Sequence, residues 1–266
     1  MIRAVCLALS LKILLDGQAA SPSRQFDVAS VKPYKIHDGN FMMRATPGGR
    51  FSAVGVPLKM LMMWAYDVRA FQLEGAPGWT GTELWEVQAK ADGVDGRLPI
   101  AEERAALRSL LEDRFQLKVH RETRKLPVYV LTVVGKSGAK LAAPTGQQFH
   151  ATPSRGLITA EKSNMTTLAN WLSLVLWRPV IDKTGLTADY SFKLEWTPVR
   201  GEYGPEALGL PPGEYPPGPE QMPPDGVFKG PGIFTALSEQ LGLRLAKQRG
   251  PVEMLVLETA SRPSEN

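Results

Sequence analysis

The sequence predicts an α+β fold made of two tandem copies of one small module. Two observations carry this prediction. Residues Ala101 to Val134 read as a short amphipathic helix followed by two strands, and residues Ile233 to Thr259 repeat that order. A constant shift also places Trp171 on Trp64, and an internal repeat of this kind favours a duplicated structural unit.

Each module is predicted to run strand, helix, strand, strand, helix, strand, strand. In the first copy a strand ends at Ala53, and Pro57 suits the start of the next helix, where a missing amide hydrogen costs nothing. Asn164 is the expected N-cap of the corresponding helix in the second copy. Pro127 and Pro251 are each expected to open the last strand of their copy, after a tight turn.

The N-terminal segment has the layout of a secretory signal peptide. Arg3 precedes the apolar run AVCLALSLKILL, and small residues follow up to Ala20. Lys12 lies inside the apolar run, which is unusual for such signals. Cys6 is the single cysteine and lies in the same segment, so we expect a mature chain without disulfide bonds.

Changes in composition mark the expected module boundaries. With 43% hydrophobic and 22% charged residues, the chain of 266 residues is ordinary globular material. Residues 34–48 lack periodicity and are expected to form a loop, whereas the Pro- and Gly-rich segment at 197–232 is expected to be a largely disordered insertion. The predicted order is a signal peptide at 1–20, a first module at 24–140, a linker at 141–155 and a second module at 156–266.

The sequence lacks the motifs that identify common enzymes. It contains no H-E-x-x-H, G-x-S-x-G, P-loop or paired C-x-x-C pattern, and its three histidines are not at metal-ligand spacing. We therefore expect no metal and no cofactor. The net charge of +4 is spread without a dense basic run, which argues against nucleic-acid binding. The alternative is a hydrolase or carbohydrate-active enzyme of unfamiliar type that uses carboxylates such as Glu74, Glu86 or Asp182.

Charged residues gather where the second helix of the first module leads into its strand. One interpretation is a solvated strand face with cross-strand ion pairs, which are common and contribute little stability. The other is a site for an anion or an acidic peptide. The second module has Ala246 and Gln248 where the first has His120 and Glu122, so this charge set is not duplicated. The predicted binding residues are Arg114, Lys118, His120 and Arg121.

Several ordered motifs carry a family resemblance. The chain contains FDVASVKP, GGRFSA, PLKMLMMWAYDV, LLEDRFQLKVHRETRKLPVYVLTV and DKTGLTADYSFKLEW. With these motifs it resembles a large paralogous family of unknown function found mainly in Acidobacteria, the soil-associated proteins. The resemblance implies an exported protein without assigned catalytic residues, and it departs at Leu176 and Trp177, where a glycine is usual. Each module is also similar in pattern to the short N-terminal domain of secretins and TonB-dependent receptors, which makes protein contacts.

These observations predict an exported, non-enzymatic interaction or sensing module. We expect it to be periplasmic or secreted, with an envelope or secreted protein as partner and no transmembrane span in the mature chain. Strand edges of the two modules are the features that we expect to pair with a partner.

Overall fold

The fold is α+β, as predicted from the sequence. The computed structural model describes residues 24–36, 41–135, 138–146, 150–154, 156–198 and 230–263. The predicted signal peptide and most of the predicted insertion at 197–232 lie outside these stretches. No helix in the described stretches is long and apolar enough to cross a membrane.

The two halves of the chain present their elements in a similar order. The first half contains β1 (Val28–Pro33), β2 (Met42–Thr46), β3 (Arg50–Pro57), α1 (Leu58–Tyr66), β4 (Leu73–Glu74), α2 (Trp79–Thr82), β5 (Leu84–Lys90), α3 (Ile100–Phe115) and β6 (Lys118–Val133). The second half contains β7 (His150–Ser154), β8 (Leu157–Ser163), α4 (Met165–Leu176), β9 (Val180–Asp182), β10 (Tyr190–Glu195), α5 (Ile233–Leu241) and β11 (Leu243–Thr259). From β2 to β6 and from β7 to β11 the order of strands and helices is the same, apart from the short α2 and a 3-10 helix at Ala70–Gln72. That the halves arose by duplication stays a prediction.

The strands form three sheets. The first sheet is antiparallel, with the order β1-β5-β3-β2, and the second is antiparallel, with the order β10-β8-β7. The central sheet has the order β4-β11-β6-β9, and its two short edge strands run parallel to their neighbours. Each half therefore contributes one long and one short strand to the sheet in the middle.

Two separate hydrophobic cores support the outer sheets. In the first core, α1 and α3 pack on the first sheet, and the rings of Trp85 and Phe115 meet edge to face with centroids 5.0 Å apart. In the second core, α4 and α5 pack on the second sheet around Leu194 and Trp196, which are 0% and 2% exposed. Burial of such large apolar side chains is the main stabilising term of each half.

The long strands β6 and β11, which we call the central ribbon, join the two halves. They pair antiparallel from Leu243 opposite Val133 to Thr259 opposite Lys118. One end of the ribbon packs on the first core through Val119, Leu255 and Leu257, and the other end packs on the second core. Neither half completes its core without a strand from the other, because β11 contributes to the first core and β6 to the second.

The last two strands predicted for each module are in fact one strand. β6 passes through Pro127 and β11 passes through Pro251 without a change in pairing register at either proline. The predicted tight turns were wrong because a strand tolerates proline when the position of the missing amide hydrogen faces away from the neighbouring strand.

Two segments predicted to lack secondary structure contain strands. The predicted loop at 34–48 contains β2, which pairs with β3, and the predicted linker at 141–155 contains β7, which pairs with β8. Hairpin pairing supplied order that the local sequence did not signal. The expected cap is confirmed, since the Asn164 side chain accepts a hydrogen bond of 2.9 Å from the backbone amide of Thr167.

Trp64 and Trp171 lie in α1 and α4, at corresponding places in the two halves. Each is only partly buried and packs at the border of its core. The Trp64 indole N–H donates a 2.9 Å hydrogen bond to the carboxylate of Glu103, which is 5% exposed. The first of these rings is thus held by a polar contact as well as by packing.

Glu161 on β8 fastens the segment before β7 to the second sheet. Its carboxylate accepts hydrogen bonds from the backbone amides of Thr145 and Gly146 at 2.6 and 2.7 Å and from the hydroxyl of Ser191. The bond from the Gly146 amide, followed by that from Ser191, lowers the pKa of Glu161 below its ordinary value. The charged form of this side chain therefore holds the segment in place.

The described chain leaves the second sheet and returns to it at nearly the same point. The Thr197 amide donates a 2.9 Å hydrogen bond to the carbonyl of Pro231, and its hydroxyl donates one of 2.6 Å to the carbonyl of Gly230. These contacts close the ends of the predicted insertion directly in front of α5.

Candidate functional site

The four residues predicted to bind do not form one cluster. Arg114 lies in the last turn of α3, with its Nε 3.2 Å from the carboxylate of Asp113. Lys118 is the exposed first residue of β6. His120 and Arg121 are neighbours on β6, so their side chains point to opposite sides of the central ribbon.

On the side of the ribbon that bears His120, the basic side chains lie against carboxylates. The His120 Nδ1 lies 2.7 Å from the carboxylate of Glu258. Arg124 forms ion pairs with both Glu122 and Glu74, and these hydrogen bonds, that to Glu74 foremost, raise its pKa. On this side, which we call the paired face, Arg124 and His120 are therefore already engaged by carboxylates at this end of the ribbon.

Arg121 lies on the other side and contacts the C-terminal end of α1. Its guanidinium donates a 2.7 Å hydrogen bond to the carbonyl of Tyr66 and forms an ion pair with Glu253. Arg108 of α3 donates a 2.7 Å hydrogen bond to the carbonyl of Ala65. Two arginines therefore satisfy carbonyls that the helix end leaves free, at the end of the helix dipole that favours cations.

A buried tyrosine completes this polar group. The Tyr66 hydroxyl donates a 3.0 Å hydrogen bond to the carboxylate of Glu112. Burial, together with the negative charge of Glu112, raises the pKa of Tyr66 above its ordinary value. Tyr66 thus stays neutral and acts as a donor, and the geometry here resembles structural support of a helix end more than a reactive centre.

The same side of the ribbon carries a strip of cations between the two cores. Near its ends this side packs on the cores, but its middle is exposed. Cross-strand pairing places Lys125 opposite Pro251 and Arg249 opposite Pro127, so the side chains of the two strands share this face. We call it the cationic face and define it by Arg121, Lys125, Lys247 and Arg249.

The dimensions of the cationic face suit an extended chain. Lys247 pairs with Tyr129, which lies eight residues beyond Arg121 on β6, so the strip is about 26 Å long at ~3.3 Å per residue. Glu253 is the one carboxylate among the exposed side chains of this strip, and Arg121 engages it. The remaining three cations leave the face positively charged.

Aromatic side chains border the second-half end of this strip. The guanidinium of Arg178 lies over the ring of Tyr129, 5.0 Å from its centroid, and Phe234 meets the same ring edge to face at 5.3 Å. Phe71 of the first half contacts Trp177 of the second at 6.4 Å between centroids. Rings beside cations provide contacts for both the apolar and the charged parts of a peptide.

The outer edges of the ribbon are obstructed around the prolines. Tyr129 donates its amide to the carbonyl of Pro179 next to β9, so Pro127, two residues away, also faces the outer edge. Arg249 donates a 2.8 Å hydrogen bond to the Lys125 carbonyl, and the Gln72 side chain donates one of 2.9 Å to the Glu253 carbonyl. Prolines and side-chain donors at these positions hinder the addition of another strand.

The carboxylates of the alternative enzyme prediction lie far apart. Glu74 on β4 and Asp182 on β9 occupy opposite edges of the central sheet, and Glu86 belongs to the first sheet. Glu74 pairs with Arg124, and Asp182 accepts hydrogen bonds from the amide and hydroxyl of Thr184. The described residues bring no three His, Cys, Asp or Glu side chains together in a group that could hold a metal ion.

Sequence reasoning missed three of the four cations of the cationic face. The signal was the period of two in each strand. It places Lys125 on the same face as the core residues Leu117 and Leu131, and cross-strand pairing adds Lys247 and Arg249 to that face. The signal was hidden because each long strand was divided at its proline. Only Arg121 belongs to both the predicted site and the observed strip.

Comparison with known proteins gives a family without an assigned activity. The family model described as "Protein of unknown function (DUF3738)" matches residues 59–260, most of the chain. No curated protein and no solved structure matches the chain.

Proposed function

Since the chain belongs to this family of proteins of unknown function, we propose from its own geometry that it is a non-catalytic interaction module. The module binds an acidic, extended segment of a partner protein along the cationic face of the central ribbon. The single observation that carries the proposal is the exposed strip of Arg121, Lys125, Lys247 and Arg249 between the two cores.

The charge and the shape of the strip both favour such a ligand. Lys247 and Arg249 have no carboxylate opposite or diagonal to them on the strip, and Glu253, which lies between Arg121 and Lys125, forms its ion pair with Arg121. A concentration of one sign of charge accelerates encounter with an oppositely charged partner and selects against partners of like charge. A length of about 26 Å corresponds to roughly eight residues of extended chain.

The cellular setting of this proposal is the envelope or the medium. The layout of residues 1–20, with Arg3 before an apolar run, supports export. We therefore propose a periplasmic or secreted protein whose partner is itself an envelope or secreted protein. Of the binding residues predicted from the sequence, Arg121 is retained in the proposed face, whereas Arg114, Lys118 and His120 belong to other surfaces.

A charge-reversal experiment tests the proposal. The chain is titrated with an eight-residue glutamate peptide, and binding is measured by fluorescence anisotropy at several salt concentrations. We expect Lys247→Glu/Arg249→Glu to weaken binding roughly tenfold or more, since two contacts of up to ~1 kcal/mol each become repulsive. Binding of the original chain should also fall steeply with salt.

The matched control reverses two exposed lysines on strands outside the ribbon. Lys32→Glu/Lys193→Glu produces the same change in net charge on β1 and β10. If both double variants weaken binding equally, the interaction reflects net charge and the proposed site is wrong. If the peptide does not bind the original chain at low salt, the acidic-partner proposal itself fails.

A further inference from the structure

The first sheet ends in an open edge strand that differs from the obstructed edges of the ribbon. In the described part of the chain, β2 pairs with β3 on one side and with no strand on the other. The outer edge of β10, by contrast, is closed in part by Ala142, which exchanges two backbone hydrogen bonds of 2.9 and 3.1 Å with Ser191. β2 also lacks an internal proline. An edge of this kind presents unpaired backbone donors and acceptors to an extended chain.

The side chains of β2 offer apolar contacts on one face of the sheet. Met43 packs against the first core, and Ala45 follows it on the same face. Phe41, directly before the strand, is 39% exposed, whereas Met42, which is 36% exposed, lies on the opposite face with Arg44. An added strand would bury apolar surface beside Met43 and Ala45.

The other face of the sheet is positively charged next to this edge. Arg44, the central residue of β2, is exposed, and Arg50 on the adjacent strand is exposed on the same face. Pairing places Arg44 opposite Ser52 and Arg50 opposite Thr46, so no carboxylate lies directly across from either arginine on this hairpin. A cross-strand carboxylate on an added strand would supply the favourable partner.

The same arginine discourages pairing of the chain with itself. A symmetric antiparallel pair of two β2 strands, centred on the strand, would place Arg44 directly opposite its copy. Like charges in that relation are destabilising. The edge therefore favours a different chain with the opposite charge over a second copy of this one.

We propose that β2 accepts an extended segment of a partner protein as a fifth strand of the first sheet. The segment alternates apolar residues, which lie beside Met43 and Ala45, with acidic residues, which lie beside Arg44. Backbone hydrogen bonds supply affinity, and the alternation supplies specificity. This site is separate from the cationic face and is formed by different residues.

Backbone-methylated peptides test strand addition without altering the protein. The full chain is titrated with an eight-residue peptide that alternates valine and glutamate, and with two series of the peptide carrying N-methyl groups on alternate amides. In an added strand, every second amide faces the sheet. We expect one series to lose binding and the other to retain it.

Side-chain variants identify the edge. Arg44→Glu should weaken binding of the valine–glutamate peptide roughly fivefold and strengthen binding of a valine–lysine peptide, since the cross-strand charge relation is reversed. Lys32→Glu on β1, at the opposite edge of the same sheet, serves as the matched control and should leave both affinities unchanged.

Three outcomes would overturn the proposal. The first is equal loss of binding in both methylated series, or in neither. The second is an unchanged peptide preference in Arg44→Glu when its circular dichroism shows a folded chain. The third is abolition of binding by Lys247→Glu/Arg249→Glu, which would place the peptide on the cationic face and leave the function proposed above intact.

Discussion

The helices α1 and α4 occupy corresponding positions in the two halves, but different side chains stabilise their C-terminal ends. At the end of α1, Arg108 and Arg121 donate to the last carbonyls, and Asp67 adopts a left-handed conformation with φ 54°. At the end of α4, the corresponding left-handed residue is Trp177, with φ 52°. The hydroxyl of Ser173 instead joins the end of α4 to the start of β9.

This difference separates cations that close a helix end from cations that lie on the exposed middle of the ribbon, away from any helix end. In the first half, Arg121, which stands out in the sequence, is engaged by the end of α1 together with Arg108. In the second half, buried Ser173 ties the end of α4 to β9 of the central sheet, and the cations of β11 extend along the exposed middle of the ribbon. A charge set present in one half only is therefore weak evidence of a binding site until the helix ends are taken into account.

The largest loss of stability is expected from substitutions at the last residues of α3 and α5. Phe115 and Leu241 are the last residues of these helices and are 0% and 2% exposed. Phe115→Ala should cost about 3–5 kcal/mol and Leu241→Ala about 2–5 kcal/mol of unfolding free energy. Because both halves share the ribbon, each variant should lower the stability of the whole chain in one transition.

Urea unfolding followed by tryptophan fluorescence and by far-UV circular dichroism checks this expectation. The two signals should change together in both variants. Two separate transitions, with only one of them shifted by each substitution, would show that the halves fold independently and that the shared ribbon does not couple them.

Substitution of the buried serine of the second half should have the next largest effect on stability. Ser173 donates a 2.8 Å hydrogen bond to the Ala169 carbonyl and accepts one of 2.9 Å from the Val180 amide. Ser173→Ala leaves that amide without its partner and should cost about 1–3 kcal/mol. Thermal unfolding measures the loss, and Ser173→Thr, which retains a hydroxyl, is the comparison. A neutral alanine variant would mean that the junction of α4 and β9 needs no polar bond.

The arginine of the first half should have a smaller effect. Arg121→Ala removes a charged donor from the end of α1 and should cost about 1 kcal/mol, since its side chain is 43% exposed and partly screened. Lys247→Ala is the control, since Lys247 also belongs to the cationic face but does not contact a helix end, and it should change the unfolding free energy by less than ~0.5 kcal/mol. Equal losses measured by urea unfolding would remove the distinction between supporting and binding cations.

A pH effect in the acid range should appear around Glu161 in the second half. The pKa of Glu161 is lowered in the folded chain, so its contribution is present above the unfolded value of 4.5 and is lost as pH falls through the lower folded value. Amide exchange at Thr145 and Gly146 should therefore become relatively less protected in that acid range. Glu161→Gln should remove the pH dependence, and an unchanged dependence would assign it to another group.

Local patterns predicted helices and class correctly but failed where pairing partners are distant. The α+β class and the Asn164 cap follow from periodicity and capping rules. β2 was missed because its order depends on pairing with β3, and the ribbon was divided because Pro127 and Pro251 are compatible with a strand only at its outer edge.

The candidate site was predictable only in part for the same reason. A single strand contributes two of the four cations of the cationic face, and the other two come from β11, more than 100 positions later in the chain. Their common side is set by the antiparallel register, which the sequence of one strand does not specify. Arg121 was identified from its charge, but its contact with the Tyr66 carbonyl depends on the packing of α1 against the ribbon.

The hydrogen bonds that join Thr197 to Gly230 and Pro231 make this position suitable for inserting another sequence. These bonds hold residues 197 and 230 close together. The entropic cost of closing a loop between them therefore grows only with the logarithm of the loop length, about 0.6 kcal/mol for each doubling. A fluorescent domain or an affinity tag could be spliced in here, and new termini could be opened here by circular permutation, without touching either core.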